Sequence, residues 1–237
     1  QTADLGDDSR DSSSRRDMRN LPFVTIDGED AKDFDDAVFA EFLDSDNVWR
    51  LVVAISDVSA YVSRNTPLDD EAKRRGTSVY FPGLVFPMLP EALSNGICSL
   101  QPGKDRLSLV VDVKITSDGR IQSFTFYEAI IRSRARLTYE EFQHYIDKKR
   151  NSSLEARLGE DQLKSLDDLV GVYEALRINR ESRGALDFQT REGKPILDGS
   201  KVIGFRIVER LMAHKIIEES MICANVCAAK LIEESES

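Results

Sequence analysis

Residues 21–39 read LPFVTIDGEDAKDFDDAVF, and this stretch decides how the surrounding chain folds. Two apolar segments, 21–26 and 37–39, flank ten residues that hold six carboxylates and a single lysine, Lys32. The apolar flanks predict strands, so the acidic run lies between folded elements. Because clustered like charges are costly to ionise, a divalent cation is the readiest way to stabilise them. Oxygen ligands alone indicate a hard ion, Mg²⁺ or Ca²⁺, with Mn²⁺ as an alternative.

The spacing within the run selects four of the six carboxylates. Asp33 and Asp35 are two residues apart, so in extended backbone their side chains face the same way. Asp36 joins them if the chain bends, and Asp27 stands at a predicted strand end where Gly28 permits a sharp turn. A loop that folds back brings these four aspartates around one or two ions. The remaining two carboxylates, Glu29 and Asp30, are predicted to be loop residues or to contact the ligands of the ions and not the ions themselves.

Two ions about 3.5–4 Å apart form a clamp for phosphodiester hydrolysis, and Mg²⁺ suits such a clamp. A solvated acidic loop remains an alternative on charge pattern alone. A calcium EF-hand does not fit, because its loop spacing and flanking helices are missing. A phosphatase with an aspartate nucleophile does not fit either, because residues 29–32, before Asp33, are polar where an apolar strand is needed.

The chain has 237 residues and a net charge of −10, and its composition, 41% hydrophobic and 31% charged residues, suits a soluble globular protein. No apolar run approaches the roughly 20 residues that span a bilayer, and the polar N-terminus has no secretory core. The three cysteines, Cys98, Cys223 and Cys227, lack a metal-ligand spacing and are predicted to be buried, reduced thiols, so we expect a cytoplasmic protein. We expect no membrane partners. Net acidity argues against nucleic acid, although metal ions held on carboxylates also bind phosphates.

We predict a disordered leader over residues 1–19 and a single unit over 20–237, with a mixed, largely antiparallel sheet and flanking helices. Strands and helices are both present without a βαβ rhythm, which favours an α+β fold. Predicted strands cover 24–26, 37–42, 49–55, 107–115, 121–131, 186–189 and 202–207. Predicted helices cover 68–75, 138–147, 161–183 and 209–233. An Asp-Gly pair at 118–119 predicts a hairpin between two of the strands.

Several stretches, in order along the chain, are similar to the catalytic domain of the ribonuclease II/ribonuclease R (RNB) family, and closest to its ribonuclease R members. They are residues 21–38, 54–62, 75–82, 87–90, 98–100, 135–139, 183–188 and 213–225. The resemblance implies the RNB-like α+β fold and identifies residues 20–237 as the N-terminal portion of that catalytic domain.

The resemblance also implies an activity. Members of the family are processive, magnesium-dependent 3′-to-5′ exoribonucleases that act on single-stranded RNA 3′ ends and release nucleoside 5′-monophosphates. The matching catalytic and metal-holding residues are Asp27, Asp33, Asp35 and Asp36. Tyr80 matches the tyrosine that packs on the 3′-terminal nucleotide, and Phe188 matches the aromatic that stacks on the terminal bases.

Family members also carry cold-shock barrels, an S1 barrel and a second half of the catalytic domain, which do not occur in this sequence. The missing half supplies basic groups near the scissile phosphate, so we expect weak activity or none from these residues alone. The alternative function is a catalytically incomplete fragment that acts as a metal-binding, RNA-binding or interaction module. Alternating arginines at 132, 134 and 136 either face phosphates or form exposed ion pairs.

Overall fold

The structure, a computed structural model, describes residues 14–147, 152–185, 192–199 and 201–235. Most of its strands belong to one sheet, and two further hairpins stand apart. The strands are β1 (Arg16–Asp17), β2 (Val24–Asp27), β3 (Asp36–Leu43), β4 (Val48–Ser56), β5 (Val79–Phe81), β6 (Leu84–Phe86), β7 (Asp105–Thr116), β8 (Ile121–Arg132), β9 (Ala135–Thr138), β10 (Glu192–Asp198) and β11 (Lys201–Val208). The helices are α1 (Pro67–Arg75), α2 (Tyr139–Ile146), α3 (Ser152–Arg157), α4 (Glu160–Ser182) and α5 (Met212–Ser235).

The main sheet has the strand order β1-β8-β7-β4-β3-β2-β9. Its pairs are antiparallel except for β1 with β8 and β2 with β9, which are parallel. The predicted α+β class with a mixed, largely antiparallel sheet is therefore confirmed. The strand predicted over 49–55 lies at the centre of the sheet as β4, between β7 and β3.

The sheet is covered on both faces, which explains the continuous apolar runs in its central strands. Successive side chains of a strand point to opposite faces. Accordingly, Val38 joins the core under α2, α4 and α5, whereas Phe39 joins a second core with Phe23 and Leu100. Cys223 and Cys227 are buried on α5, as the sequence predicts for structural thiols.

Gly119 closes the hairpin between β7 and β8 and also docks it on α4. Its φ of 78° lies in the left-handed region, which glycine adopts without a steric penalty. A Cβ atom at this position would lie 2.0 Å from the Ala175 carbonyl oxygen of α4. The predicted Asp-Gly turn is confirmed, and the close approach to the helix gives a second reason for glycine.

Helix boundaries follow the local signals in the sequence. Thr66 caps α1, and the Pro67 ring occupies the first helical position. Thr138 caps α2 and accepts from the Glu141 amide, while the Glu141 carboxylate accepts from the Thr138 amide, so the two residues form a capping box. Within the described residues, no helix is both long enough and apolar enough to cross a bilayer.

Some local predictions need correction. Residues 16–17 form β1 beside β8, and Arg15 is buried, so the sheet begins before the predicted leader boundary at residue 19. The short strand β9 and the hairpin β5–β6 were not predicted. β11 is confirmed, but its partner is β10, and the strand predicted over 186–189 lies outside the described residues.

Candidate active site

The acidic run lies at one edge of the sheet, where β2 ends and β3 begins. Asp27 is the last residue of β2 and pairs with Thr138 of β9. Asp36 is the first residue of β3 and pairs with Ile55 of β4. Regular strands therefore fix the positions of Asp27 and Asp36, the first and last aspartates of the run. Between them, residues 28–35 form a connection that we call the acidic loop.

Ser99 holds the second half of the acidic loop. Its hydroxyl donates to the Lys32 carbonyl oxygen at 2.8 Å and accepts from the Phe34 amide at 3.1 Å. Ser99 is completely buried, so both hydrogen bonds are partly shielded from water. The Ser56 amide donates to the Asp35 carbonyl oxygen at 2.8 Å. The backbone on both sides of Asp33 is thereby tied to the body of the domain.

The four selected aspartates form one electrostatic cluster. The pKa of Asp36 is raised to about 6, first by burial and then by the charges of Asp27 and Asp35. Burial also raises the pKa of Asp27 and the pKa of Asp35, and the charge of Asp33 adds to both effects. Each carboxylate thus acts on at least one other. This mutual repulsion is the condition that a bound cation relieves.

In the described part of the chain, none of the four carboxylates forms an ion pair with lysine or arginine. The charge of Arg136 lowers the pKa of Asp27, but burial outweighs this effect and the pKa stays raised. No group of three histidine, cysteine or acidic side chains in the described part stands in an arrangement that could hold a metal ion unaided. The donor chemistry nevertheless fits Mg²⁺, which takes one or two carboxylates and completes its shell with water and substrate phosphates. The four aspartates are the residues that would hold it.

The cluster lines a cavity of about 590 Å³. Tyr80 and Val85 of the hairpin β5–β6 form part of its wall. The Tyr80 side chain is exposed, and its hydroxyl donates to Asp33 Oδ2 at 3.1 Å. The structure thus brings Tyr80 beside the predicted metal ligands. Phe188, the other predicted RNA contact, lies outside the described residues.

The alternating arginines have three different environments. Arg132 donates to Asp105 at 2.6 Å, which agrees with the ion-pair alternative. Arg134 donates to a backbone carbonyl of the N-terminal segment. Arg136 matches neither alternative, because it donates to two carbonyl groups of the acidic loop. No local pattern in the sequence predicts this contact, because residue 136 reaches the loop only through the pairing of β9 with β2.

Tyr139 is a site residue that the sequence analysis did not single out. It is the first residue of α2, and its ring stacks on His214 of α5 with the centroids 4.1 Å apart. The pKa of Tyr139 is raised to about 12, mainly by burial and further by the charges of Asp27 and Asp36. The capping box predicts where α2 begins. It does not predict that β9 delivers this helix start to the aspartates.

Comparisons with known proteins agree with this arrangement. Ribonuclease R of Escherichia coli (strain K12) is 47% identical over 225 residues, which cover 94% of this chain and 27% of that protein. The chain therefore spans about a quarter of the length of this relative. Mycoplasma genitalium RNase R in complex with ribose methylated single-stranded RNA superimposes with a TM-score of 0.92 at 31% identity, over 98% of this chain and 36% of that one.

The complex of the same Mycoplasma genitalium enzyme with double-stranded RNA also gives a TM-score of 0.92 at 31% identity, over 98% of this chain and 41% of that one. The RNB domain family matches residues 15–237, which is nearly the whole sequence. The resemblance seen in the sequence motifs is therefore confirmed. This chain belongs to the RNB domain family.

Proposed function

We propose that this chain is the metal-binding part of a magnesium-dependent 3′-to-5′ exoribonuclease that hydrolyses RNA to nucleoside 5′-monophosphates. The observation that carries the proposal is the four-aspartate cluster, which lines an open cavity and forms no ion pair with lysine or arginine among the described residues. Such a site needs cations, and a cation held there presents a positive centre to an RNA phosphate. A solvated acidic loop would not explain the hydrogen bonds that hold its backbone to the buried residues Ser56 and Ser99.

The four aspartates would act together in metal binding, although different elements hold them. Asp27 and Asp36, fixed by strands, and Asp33 and Asp35, held by the loop, would bind the ions and orient the attacking water. Two Mg²⁺ ions, when bound, would supply activation of that water and stabilisation of the leaving 3′-oxygen. The mutual repulsion of the carboxylates favours two ions over one, because each added cation neutralises more of it.

Tyr80 would orient the 3′-terminal nucleotide against the cluster. Its side chain is 64% exposed on a hairpin at the cavity wall, so a base or ribose can reach the ring. Aromatic stacking tolerates any sequence, because every base has a π-face. This property suits an enzyme that removes nucleotides regardless of identity. The stacking role of Phe188 stays a prediction.

Single-stranded RNA is the substrate we propose, on the ground that the Mycoplasma genitalium relative has been solved in complex with ribose methylated single-stranded RNA. The same relative has also been solved with double-stranded RNA. A cytoplasmic location stays a prediction. The alternative function, a catalytically incomplete fragment that acts as a metal-binding, RNA-binding or interaction module, predicts no hydrolysis of RNA.

The decisive experiment follows the shortening of a 5′-labelled single-stranded RNA, and the release of mononucleotides from a uniformly labelled one, with Mg²⁺ and with chelator. A chimera of Escherichia coli ribonuclease R, in which this chain replaces its matching segment, would supply the rest of the enzyme. We expect stepwise shortening from the 3′ end that requires Mg²⁺. Asp36→Asn should slow release by about 100-fold or more, whereas the loop control Asp30→Asn should not. A folded chimera that binds RNA but releases nothing supports the alternative.

A further inference from the structure

Arg136 connects the strand β9 to the acidic loop. It pairs with Thr25 of β2 in the parallel register, and the following residue, Leu137, is completely buried in the core. Because side chains alternate along a strand, Arg136 projects away from that core. Its guanidinium group reaches the acidic loop, which is more than 100 residues earlier in the sequence.

The guanidinium group contacts both halves of the acidic loop. Nη2 donates to the Gly28 carbonyl oxygen at 2.6 Å and to the Glu29 carbonyl oxygen at 2.8 Å. The guanidinium carbon lies 5.6 Å from the centroid of the Phe34 ring, within cation–π range. The first contact fixes the turn that follows Asp27. The second lies between Asp33 and Asp35, so one side chain spans the loop.

The guanidinium group of Arg136 contacts backbone carbonyl groups and not carboxylates. Among the described residues it forms no ion pair with a carboxylate, and its buried Nε has no hydrogen-bond partner there. Arg132, by contrast, pairs directly with Asp105. Desolvating a guanidinium group without an ion pair is unfavourable, and the carbonyl bonds only partly offset this cost. An arginine kept there for the fold alone would gain more from pairing with the adjacent carboxylates.

We propose that Arg136 is a positioning residue for the four-aspartate cluster. It holds the acidic loop in the conformation that receives the metal ions, and it leaves the carboxylate oxygens available to them. The inference rests on the proposed function, since it assumes that the aspartates bind metal. It concerns the backbone of the loop and assigns Arg136 no contact with RNA.

Positioning and simple electrostatics predict opposite effects of the same substitution. Arg136→Met removes a positive charge beside the aspartates, and electrostatics alone would then tighten the binding of a divalent cation. If Arg136 acts by positioning, the freed loop must be ordered when the ion binds, and affinity falls. Arg136→Lys keeps the charge, but it loses the planar guanidinium group beside Phe34 and places its nitrogen one bond nearer to the strand than Nη2, which donates to both carbonyl groups. Electrostatics predicts no change for this variant, whereas positioning predicts weaker binding.

The test is a titration of the purified chain with Mn²⁺, in which electron paramagnetic resonance measures the free ion. We expect both Arg136→Met and Arg136→Lys to weaken binding by about 10- to 100-fold, the range found when outer-shell partners of a metal site are removed. Arg134→Met is the matched control, because Arg134 lies two residues away and does not contact the loop. Its Mn²⁺ affinity should remain at the unsubstituted value.

Hydrogen exchange supplies a second readout. In the Arg136→Lys variant, amides of residues 28–35 should exchange faster while the rest of the sheet keeps its protection. Tighter Mn²⁺ binding by Arg136→Met, with unchanged binding by Arg136→Lys, would overturn the proposal in favour of electrostatics. Loss of protection across the whole sheet would also overturn it, because Arg136 would then stabilise the fold. If Asp36→Asn binds Mn²⁺ as well as the unsubstituted chain, the proposed metal site itself is wrong.

Discussion

The Tyr80 hydroxyl donates a hydrogen bond to Asp33 Oδ2 at 3.1 Å, and this bond links the exposed hairpin β5–β6 to the acidic loop. The bond occupies a carboxylate oxygen that a metal ion would otherwise use. Metal binding and release of the Tyr80 ring are therefore expected to be coupled. A ring released from Asp33 is available to stack on a nucleotide, so metal and RNA should assist each other.

Substitutions at Tyr80 distinguish the contribution of its hydroxyl group to metal binding from the contribution of its ring to RNA binding. Tyr80→Phe should keep RNA affinity and raise Mn²⁺ affinity by up to about fivefold, since one hydrogen bond contributes about 1 kcal/mol. Tyr80→Ala should raise Mn²⁺ affinity similarly but weaken single-stranded RNA binding, because stacking is worth roughly 1–3 kcal/mol per base. Phe81→Ala, on the opposite side of the same strand, is the control. Fluorescence anisotropy with labelled RNA measures binding, and equal losses in Tyr80→Ala and Phe81→Ala would contradict a specific role.

The aspartates were predictable from sequence because they are close together in the chain. Spacing alone selected four of six carboxylates, and the structure brings those four together at one sheet edge. Strand β4 and the capped helix α2 were predictable for the same reason, since an apolar run and a capping box are local signals.

The supporting residues were not predictable, because long-range pairing brings them to the site. Ser99 lies 67 residues from its partner in the acidic loop and Arg136 lies 108 residues from Gly28, and no local pattern marks either residue. Strand β9 has only four residues, too few for a clear alternation. The hairpin β5–β6 is exposed along its length. Its residues are apolar on both faces, so they lack the alternation of apolar and polar residues from which a half-buried strand is predicted.

Ser99→Ala should destabilise the chain by about 1–3 kcal/mol, because it leaves a partly buried carbonyl and a partly buried amide of the acidic loop without their partner. Ser108→Ala is a matched control. Ser108 is equally buried, but its hydroxyl has no hydrogen-bond partner among the described residues, so its loss should be nearly neutral. Urea unfolding followed by circular dichroism measures both. Equal destabilisation would show that hydroxyl volume matters more than the two hydrogen bonds.

Gly119→Ala should destabilise the fold strongly, because the added methyl group would lie 2.0 Å from a backbone oxygen of α4. Gly103→Ala is the control that measures backbone strain without a steric clash. Gly103 has a similar φ of 74°, yet nothing lies within 4 Å of the added atom. It should cost only about 1–2 kcal/mol, the strain of a left-handed residue, whereas Gly119→Ala should cost clearly more. Thermal unfolding compares them, and similar losses would mean that α4 moves away freely.

Asp36 should make the metal-free chain less stable as pH rises. Its pKa in the folded chain, about 6, lies above the ordinary value of 3.8, so folding favours the protonated form. This contribution is complete below about pH 4 and is lost as pH rises through 6. The raised pKa values of Asp27 and Asp35 act in the same direction.

Asp36→Asn tests this pH dependence, because an amide stays neutral at every pH. Without metal, the variant should show a flatter stability profile between pH 4 and 7 than the unsubstituted chain, and it should be the more stable of the two at pH 7. Adding Mg²⁺ at pH 7 should reverse that order, since the ion binds the folded cluster and stabilises it by mass action. Thermal unfolding at each pH, with Mg²⁺ and with chelator, gives the comparison. If Mg²⁺ stabilised both proteins equally, Asp36 would not be among the residues that hold the ion.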